Sequence, residues 1–345
     1  MELVWLALSL RKGMGPMAVR REVERHGCVQ RAWLQWVEEH PSEARRVEQE
    51  VQWMRCWARD AGVSVVGMDD ARYPALLLEI SDAPLVLFGM GAWPDRTAWS
   101  RALAVVGTRR CSAQGARWAQ EVARDWSMVG GRVVSGLARG VDMAAHRATE
   151  PGQAVAVLPC GLDAIHPTIH RHEAMRMVED GGLLLSEQPP QARVERWMFA
   201  SRNRITTGLC PATVLVESPA RGGSLISAAS AVDQNRELYV FDPPSQGPRW
   251  SGNRNLLADG VGWAVRDEGD LWRAMAGDAV REAWRSPIPD ICRPLWACLS
   301  AQSTHSLSGL ARRLGWQEEV VRRRLNALQS LGLVSRLPGR RYLRS

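Results

Sequence analysis

Short apolar runs alternate with amphipathic stretches from about residue 61 to residue 275, and this pattern predicts strands alternating with helices. Six of the runs are apolar throughout, as is typical of strands buried on both faces of a parallel sheet. The predicted strands are 102–107, 132–136, 154–159, 182–187, 213–218 and 237–242. We therefore predict an α/β domain over 61–280 with a doubly wound, Rossmann-like, mostly parallel sheet, in which ligands bind where strands end and helices begin.

The first 60 residues have helical periodicity and predict a separate helical domain. A Gly-Met-Gly-Pro turn at 13–16 separates two of its helices. This turn resembles a helix-hairpin-helix, whose backbone amides hold a DNA phosphate, but we favour a plain helical hairpin with a Gly/Pro turn.

The C-terminal part of the chain has a different pattern. Three prolines lie between residues 285 and 294 and predict a linker over 281–290. Three helix-sized segments follow, and the chain ends in two short strands around a Pro-Gly turn. This order predicts a winged helix-turn-helix domain over 291–345.

The excess positive charge is concentrated in the predicted winged helix. Residues 311–345 hold nine arginines and two glutamates, a local charge of +7 that equals the net charge of the whole chain. This concentration indicates an anionic partner, and duplex DNA is the candidate. The predicted contacts are Arg322, Arg323, Arg324, Arg340 and Arg341. The competing hypothesis is that this domain contacts a protein or mediates self-association.

Composition excludes several classes of protein. The chain has 345 residues, 46% of them hydrophobic and 23% charged, which indicates a globular protein of two or three domains. Its seven cysteines are widely spaced without a Cys-x-x-Cys pair, so neither a disulfide framework nor a zinc site is indicated. Because no segment resembles a signal peptide or a transmembrane helix, we expect a cytoplasmic protein that makes no membrane contact.

Three loops predicted at one sheet edge carry groups that bind phosphate, namely glycines, hydroxyls and arginines at helix N-termini. They contain Gly107, Thr108, Arg109, Ser135, Gly136, Arg139, Gly223 and Ser224. None matches the Gly-x-Gly-x-x-Gly pattern of dinucleotide enzymes, so no nucleotide cofactor is expected. Each loop alone fits an ordinary turn between a strand and a helix. Together they offer contacts to more than one phosphate.

The stretch Arg202-Asn203-Arg204 precedes an apolar, helix-like segment. We predict that it forms a loop at the same sheet edge, where both arginines hold an anionic chain. The alternative is a surface loop of salt bridges. Asp142 and His146 lie one helical turn apart, and without a second histidine or a Glu-x-x-His motif we interpret them as structural.

Six ordered motifs resemble the DNA-processing protein A (DprA/Smf) family of bacteria. They are VVGTRRCSAQG, VVSGLARGVDMAAH, AVLPCGLDAIHP, LLLSEQPP, FASRNRITTGL and VLVESPARGGSLISAA. The resemblance implies an extended Rossmann fold and a non-enzymatic protein that binds and protects incoming single-stranded DNA during natural transformation. It further implies loading of the RecA recombinase, single-strand-binding protein as a further candidate partner, and a homodimer.

By the same resemblance, the motif residues lie in a single-stranded DNA pocket. The residues carried over are Thr108, Arg109, Ser135, Gly136, Arg171, Arg202, Asn203, Arg204, Gly223 and Ser224. The chain departs from the family pattern at His166, which stands where a tyrosine is usual, and at Gly222, which stands where a serine is usual. Phe199 is the candidate for stacking on a DNA base, and burial in the core is its alternative.

Two other functions compete with DNA loading. A nucleotide-processing enzyme of the phosphoribohydrolase kind would use the Gly-Gly loop at 222–223 with Glu217 as its acid. A transcriptional regulator would use the winged helix. No paired general acid and base is evident in the sequence, so we expect a protein that is not an enzyme.

Overall fold

The structure is a computed structural model that describes residues 3–244, 247–275, 292–300, 303–330, 333–337, 339 and 341–344. Four helices come first: α1 (Val4–Ser9), α2 (Pro16–His26), α3 (Val29–Glu39) and α4 (Pro41–Asp60). Gly13 has a positive φ of 78° in the turn between α1 and α2, and Pro16 begins α2. Helices thus fill the N-terminal segment for which helical structure was predicted.

A nine-stranded sheet forms the centre of the chain. Its strands are β1 (Val63–Gly67), β2 (Val86–Gly91), β3 (Ala102–Val106), β4 (Arg132–Ser135), β5 (Ala154–Val157), β6 (Leu183–Ser186), β7 (Ala212–Leu215), β8 (Glu237–Phe241) and β9 (Trp263–Val265). Their order is β1-β2-β6-β5-β4-β3-β7-β8-β9. The strands from β6 to β9 in this order are parallel, and β1 and β2 are antiparallel. The predicted mostly parallel sheet is therefore confirmed, and all six predicted strands are present.

Helices cover both faces of this sheet. They are α5 (Ala75–Leu78), α6 (Ala113–Met128), α7 (Val141–Ala148), α8 (Arg171–Glu179), α9 (Arg196–Gly208), α10 (Gly223–Asp233), α11 (Ser251–Ala258) and α12 (Glu268–Met275). Alternate residues of β3 belong to different cores. Leu103 and Val105 pack in the core that includes α6 and α7, whereas Ala102 and Ala104 pack in the core that includes α9.

The chain changes direction across the sheet at β3. Strands β4, β5 and β6 follow on one side of β3, and β7, β8 and β9 follow on the other. The loops after β3 and β7 consequently lead to helices on opposite faces, which opens a crevice at the carboxyl ends of these two strands. Such a switch point is where doubly wound sheets bind ligands.

After residue 275, the part of the chain that the structure describes contains three helices and a small sheet: α13 (Arg293–Cys298), α14 (Leu307–Leu314), α15 (Glu318–Ser330), β10 (His305–Ser306), β11 (Val334–Leu337) and β12 (Arg341–Arg344). The small sheet has the order β10-β12-β11. Cys292 lies 3.9 Å from the carbonyl of Met128, the last residue of α6. The predicted linker 281–290 lies outside the described residues. Among the helices that are described, none is both long and apolar enough to cross a membrane.

Candidate nucleic-acid interface

A cleft of about 470 Å³ opens at the switch point of the sheet. It lies between the loops after β3 and β4, the N-terminus of α10 and one side of α9. Among the residues predicted from the sequence, it is lined by Gly107, Thr108, Arg109, Gly136, Phe199, Arg202, Asn203, Gly223 and Ser224. The structure thus brings together residues that are up to 117 positions apart in the chain.

The loop after β3 is held from below by Glu217. This residue is fully buried, and its carboxylate accepts hydrogen bonds from the amide of Ser112 at 2.9 Å and from the Ser112 hydroxyl at 2.6 Å. The same hydroxyl accepts a bond from the amide of Gly115 and so caps α6. Glu217 therefore anchors the N-terminus of α6.

The loops after β3 and β4 touch backbone to backbone. Gly140 has a φ of +81°, and a Cβ atom there would lie 2.3 Å from the carbonyl oxygen of Thr108. The amide of Val141 donates to the same oxygen at 3.2 Å. Only glycine suits position 140, because it tolerates this φ and leaves room for the neighbouring backbone.

The stretch from Arg202 to Arg204 is helical, and the prediction of a loop is wrong. These residues lie within α9, where each step along the chain turns the side chain by about 100°. Consecutive residues therefore point in three directions. Asn203 donates to the carbonyl of Gly223 at 3.4 Å, which connects α9 to the start of α10.

Arg202 forms part of the cleft floor. Its side chain is buried, and Nη1 donates to the carbonyl of Val157 at 2.8 Å. Burial lowers the pKa of Arg202, an effect that the neighbouring carboxylate of Asp142 opposes. Arg202 thus supplies a fixed positive charge beneath the cleft.

Arg204 faces away from the cleft. Its Nε atom lies 3.0 Å from Asp82 Oδ2, and its Nη2 atom lies 2.5 Å from Glu187 Oε2. The side chain is only 12% exposed. Arg204 therefore connects α9 to two acidic residues of the main domain, and this geometry differs from the predicted contact with an anionic chain.

Four arginines stand at the rim of the cleft: Arg109, Arg110, Arg196 and Arg221. All four are exposed, and none forms a salt bridge with any residue that the structure describes. Of these four arginines, only Arg109 was predicted from the sequence. Arg110 and Arg221 are next to motif residues in the chain, and Arg196 begins α9. Their nearness to the motifs is the sequence signal that could have identified them.

Phe199 lies in the cleft wall and is half-buried. The guanidinium carbon of Arg109 lies 4.9 Å from the centre of its ring, and the ring of His166 meets it edge-on at 5.7 Å. A cation over an aromatic face is a favourable pair. The Phe199 side chain is therefore not buried in the core, and part of its ring is already covered by neighbouring side chains.

Three predicted residues, Ser135, Arg139 and Arg171, also lie outside this lining. Ser135 is buried, and its hydroxyl donates to the carbonyl of Val105 at 2.6 Å, so it joins β4 to β3. Arg139 and Arg171 are exposed and do not line the cleft. Ser224 does line the cleft, but its hydroxyl donates to Ser218 at 2.9 Å.

Asp142 and His146 are both buried, and Asp142 also lines the cleft. Their structural role stays a prediction. Burial raises the pKa of the Asp142 carboxyl. Burial also lowers the pKa of His146 to about 3, and neither ring nitrogen has a hydrogen-bond partner among the residues that the structure describes. Among the described residues, no three His, Cys, Asp or Glu side chains are grouped so as to hold a metal ion.

The predicted contacts of the C-terminal module have partners of their own. Arg323 lies 2.5 Å from Glu319, the Arg324 guanidinium lies 4.1 Å from the Trp316 ring centre, and Arg341 donates to Thr304 at 2.7 Å. Arg322 is exposed. Arg340 lies outside the described residues.

Known proteins provide an independent comparison. The model of a family described as DNA recombination-mediator protein A matches residues 64–276, which include every residue of the cleft. Protein Smf of Escherichia coli (strain K12) is 32% identical over 299 residues, which cover 82% of this chain and 78% of that protein. DNA processing protein DprA of Bacillus subtilis is 34% identical over 199 residues, which cover 55% of this chain and 66% of that protein.

Solved structures agree with this comparison. DNA processing protein A from Streptococcus pneumoniae superposes with a TM-score of 0.55 at 29% identity, over 66% of this chain and 80% of that one. A structure of the Helicobacter pylori protein, described as having a unique single-stranded DNA binding mode, also gives 0.55, at 25% identity, over 61% of this chain and 93% of that one. Matching motifs, family model and relatives together establish that the chain belongs to the DNA recombination-mediator protein A family.

Proposed function

We propose that this chain binds single-stranded DNA in the cleft at the switch point. The observation that carries the proposal is the set of exposed arginines, Arg109, Arg110, Arg196 and Arg221, around the N-terminus of α10. Helix N-termini and arginines bind phosphate oxygens, and Arg202 adds positive charge from below. The single-stranded DNA binding described for the Helicobacter pylori relative supports the same substrate.

The aromatic wall of the cleft favours a single strand over a duplex. Phe199 offers a ring face to an unstacked base, and Arg109 already covers part of that ring. In a duplex the bases are stacked on one another, and their faces cannot reach such a wall. Stacking combined with phosphate contacts tolerates every base, so binding is expected to be independent of sequence.

We further propose that the bound strand is delivered to a RecA recombinase, with single-strand-binding protein as the competitor for the same DNA. Membership of a recombination-mediator family supports this step.

Self-association is part of the proposal. Strand β9 is at one edge of the nine-stranded sheet, and Trp263 on this strand is 61% exposed. An edge strand presents unpaired backbone groups, and a large exposed apolar side chain beside them favours contact with a second copy of the chain.

The position of Glu217 argues against the alternative of a nucleotide-processing enzyme, for which Glu217 was the candidate acid. Glu217 accepts bonds from the Ser112 amide and hydroxyl and is fully buried, so its carboxylate is already used in holding α6. We therefore propose a binding protein without hydrolytic chemistry at this loop.

The decisive experiment compares a fluorescent single-stranded oligonucleotide with a duplex of the same length by anisotropy across a salt series. We expect preference for the single strand at any sequence. With four rim arginines engaged, log K should fall with log salt at a slope of about −3. Absence of binding, together with hydrolysis of nucleoside monophosphates, would replace the proposal with the enzymatic one.

A further inference from the structure

Helix α15 carries a stripe of exposed polar side chains. Arg322, Asn326 and Gln329 are exposed at positions i, i+4 and i+7, which places them within an arc of about 60° on the helix. The adjoining side of the helix, about 100° away from the stripe, is buried through Val321, Leu325 and Leu328. The stripe therefore faces outward from the C-terminal module.

We propose that this stripe reads base edges in the major groove of duplex DNA. Arginine pairs with the O6 and N7 atoms of guanine, and asparagine and glutamine pair with the N6 and N7 atoms of adenine. These are the three side-chain types that the stripe presents. Helix α15 follows α14 after a three-residue turn in which Gly315 has a φ of +66°, an arrangement that suits a helix-turn-helix.

Other exposed arginines are placed to hold the DNA backbone. Arg312 and Arg313 lie on α14, the helix that crosses the backbone in this type of docking, and Arg336 lies on β11. Phosphate contacts of this kind position a module on DNA but carry no sequence information.

Acidic residues in the first turn of α15 favour binding to particular DNA sequences over binding to any duplex. Glu318 and Glu319 are exposed in its first turn, and Glu319 pairs with Arg323. Carboxylates at the end of the helix that enters the groove repel phosphates, and their specific DNA partner is the amino group of cytosine. Affinity should consequently depend on which bases face the helix.

This site is separate from the single-strand cleft and does not depend on the function proposed for it. Helix α6 begins beside the cleft at Ser112, and its last residue, Met128, contacts Cys292 at the start of the C-terminal module. The 16 residues of α6 span about 24 Å, so a duplex and a single strand would occupy opposite ends of this helix.

The test uses the full chain and a pool of duplex oligonucleotides with a randomised central segment, selected by retention on the protein and then sequenced. We expect enrichment of a short motif of about four base pairs. Asn326→Ala and Gln329→Ala should each reduce affinity for that motif at least about fivefold, which is the low end of the value of one bidentate base contact. The unfolding temperature of each variant is measured in parallel, so that a loss of affinity is counted only in a folded protein.

Arg336→Ala provides the matched comparison, because loss of a phosphate contact should weaken binding to all duplexes equally and leave the motif unchanged. An excess of single-stranded oligonucleotide should not displace the bound duplex. Retention of duplexes without enrichment of any motif would overturn base reading, and so would absence of duplex binding in a protein that still binds a single strand.

Discussion

The guanidinium of Arg202 occupies the space into which a side chain at Gly136 would project. A Cβ atom at position 136 would lie 1.6 Å from Arg202 Nη1. The two residues belong to different elements, the loop after β4 and helix α9, and they pack together under the cleft. The absence of a side chain at 136 is thus what allows a buried arginine to form the cleft floor.

Gly136→Ala should therefore displace Arg202 and break its 2.8 Å bond to Val157. We expect the free energy of unfolding to fall by about 1–3 kcal/mol and single-strand affinity to weaken, since the fixed charge beneath the cleft moves. Urea unfolding and anisotropy measure the two effects. Arg202→Ala supplies the control background, because Gly136→Ala should cost little further stability once the guanidinium is gone. An equal cost of Gly136→Ala with and without the Arg202 side chain would contradict the packing argument.

Arg109 and Arg204 should respond differently to alanine. Arg109 is exposed at the rim, so Arg109→Ala should reduce single-strand affinity by about 5- to 30-fold at unchanged stability. Arg204→Ala leaves Asp82 and Glu187 without their shared partner and should lower the free energy of unfolding by about 2 kcal/mol. A direct role of Arg204 in binding would appear instead as lost affinity in a fully stable protein.

Phe199 should act through its aromatic face. Phe199→Leu keeps an apolar side chain of similar volume but removes the ring, and we expect a loss of affinity of about 1–3 kcal/mol, as for one stacked base. Phe199→Tyr keeps the ring and should retain the parental affinity. All three proteins are titrated with the same oligonucleotide. If Phe199 acts only by apolar packing, the leucine variant should bind at least as well as the tyrosine variant, and this result would contradict stacking.

The fold was largely predictable because buried parallel strands leave a plain pattern. Strand β3 was predicted at 102–107 and runs from Ala102 to Val106, since each of its residues is buried on one face or the other. Strands β1 and β2 were not predicted. They are antiparallel to their neighbours, and their short runs, Val63–Gly67 and Val86–Gly91, are interrupted by serine, glycine or residues exposed at the sheet margin.

The site was predicted in its location but not in the roles of its side chains. Glycines at 107, 136 and 223 do line the cleft. Helix α9 was misread because its buried face contains Arg202 between Met198 and Ile205, which hides the apolar periodicity of a helix. A charge that is buried because a distant glycine makes room for it leaves no local trace in the sequence.

His146 should make stability depend on pH in a definite direction. Its pKa is about 3 in the folded protein, compared with about 6.5 in an unfolded chain. The unfolded state therefore binds more protons between these values, so the stability that His146 contributes is present above about pH 6.5 and is lost as the pH falls toward 3. From pH 7 to pH 5 this amounts to about 2 kcal/mol.

His146→Leu should remove this part of the pH dependence, measured as the difference between urea unfolding at pH 7 and at pH 5. Asp142, whose pKa is raised by burial, changes stability in the opposite sense, weakening it as the pH rises above about 4. Because Asp142 is present in both proteins, its contribution largely cancels in the comparison. His172→Leu, at an exposed position, is the matched control and should retain the parental profile. The free energy of unfolding of His146→Leu could still fall by about 2 kcal/mol from pH 7 to pH 5. In that case another group causes the pH dependence, and His146 does not contribute to it.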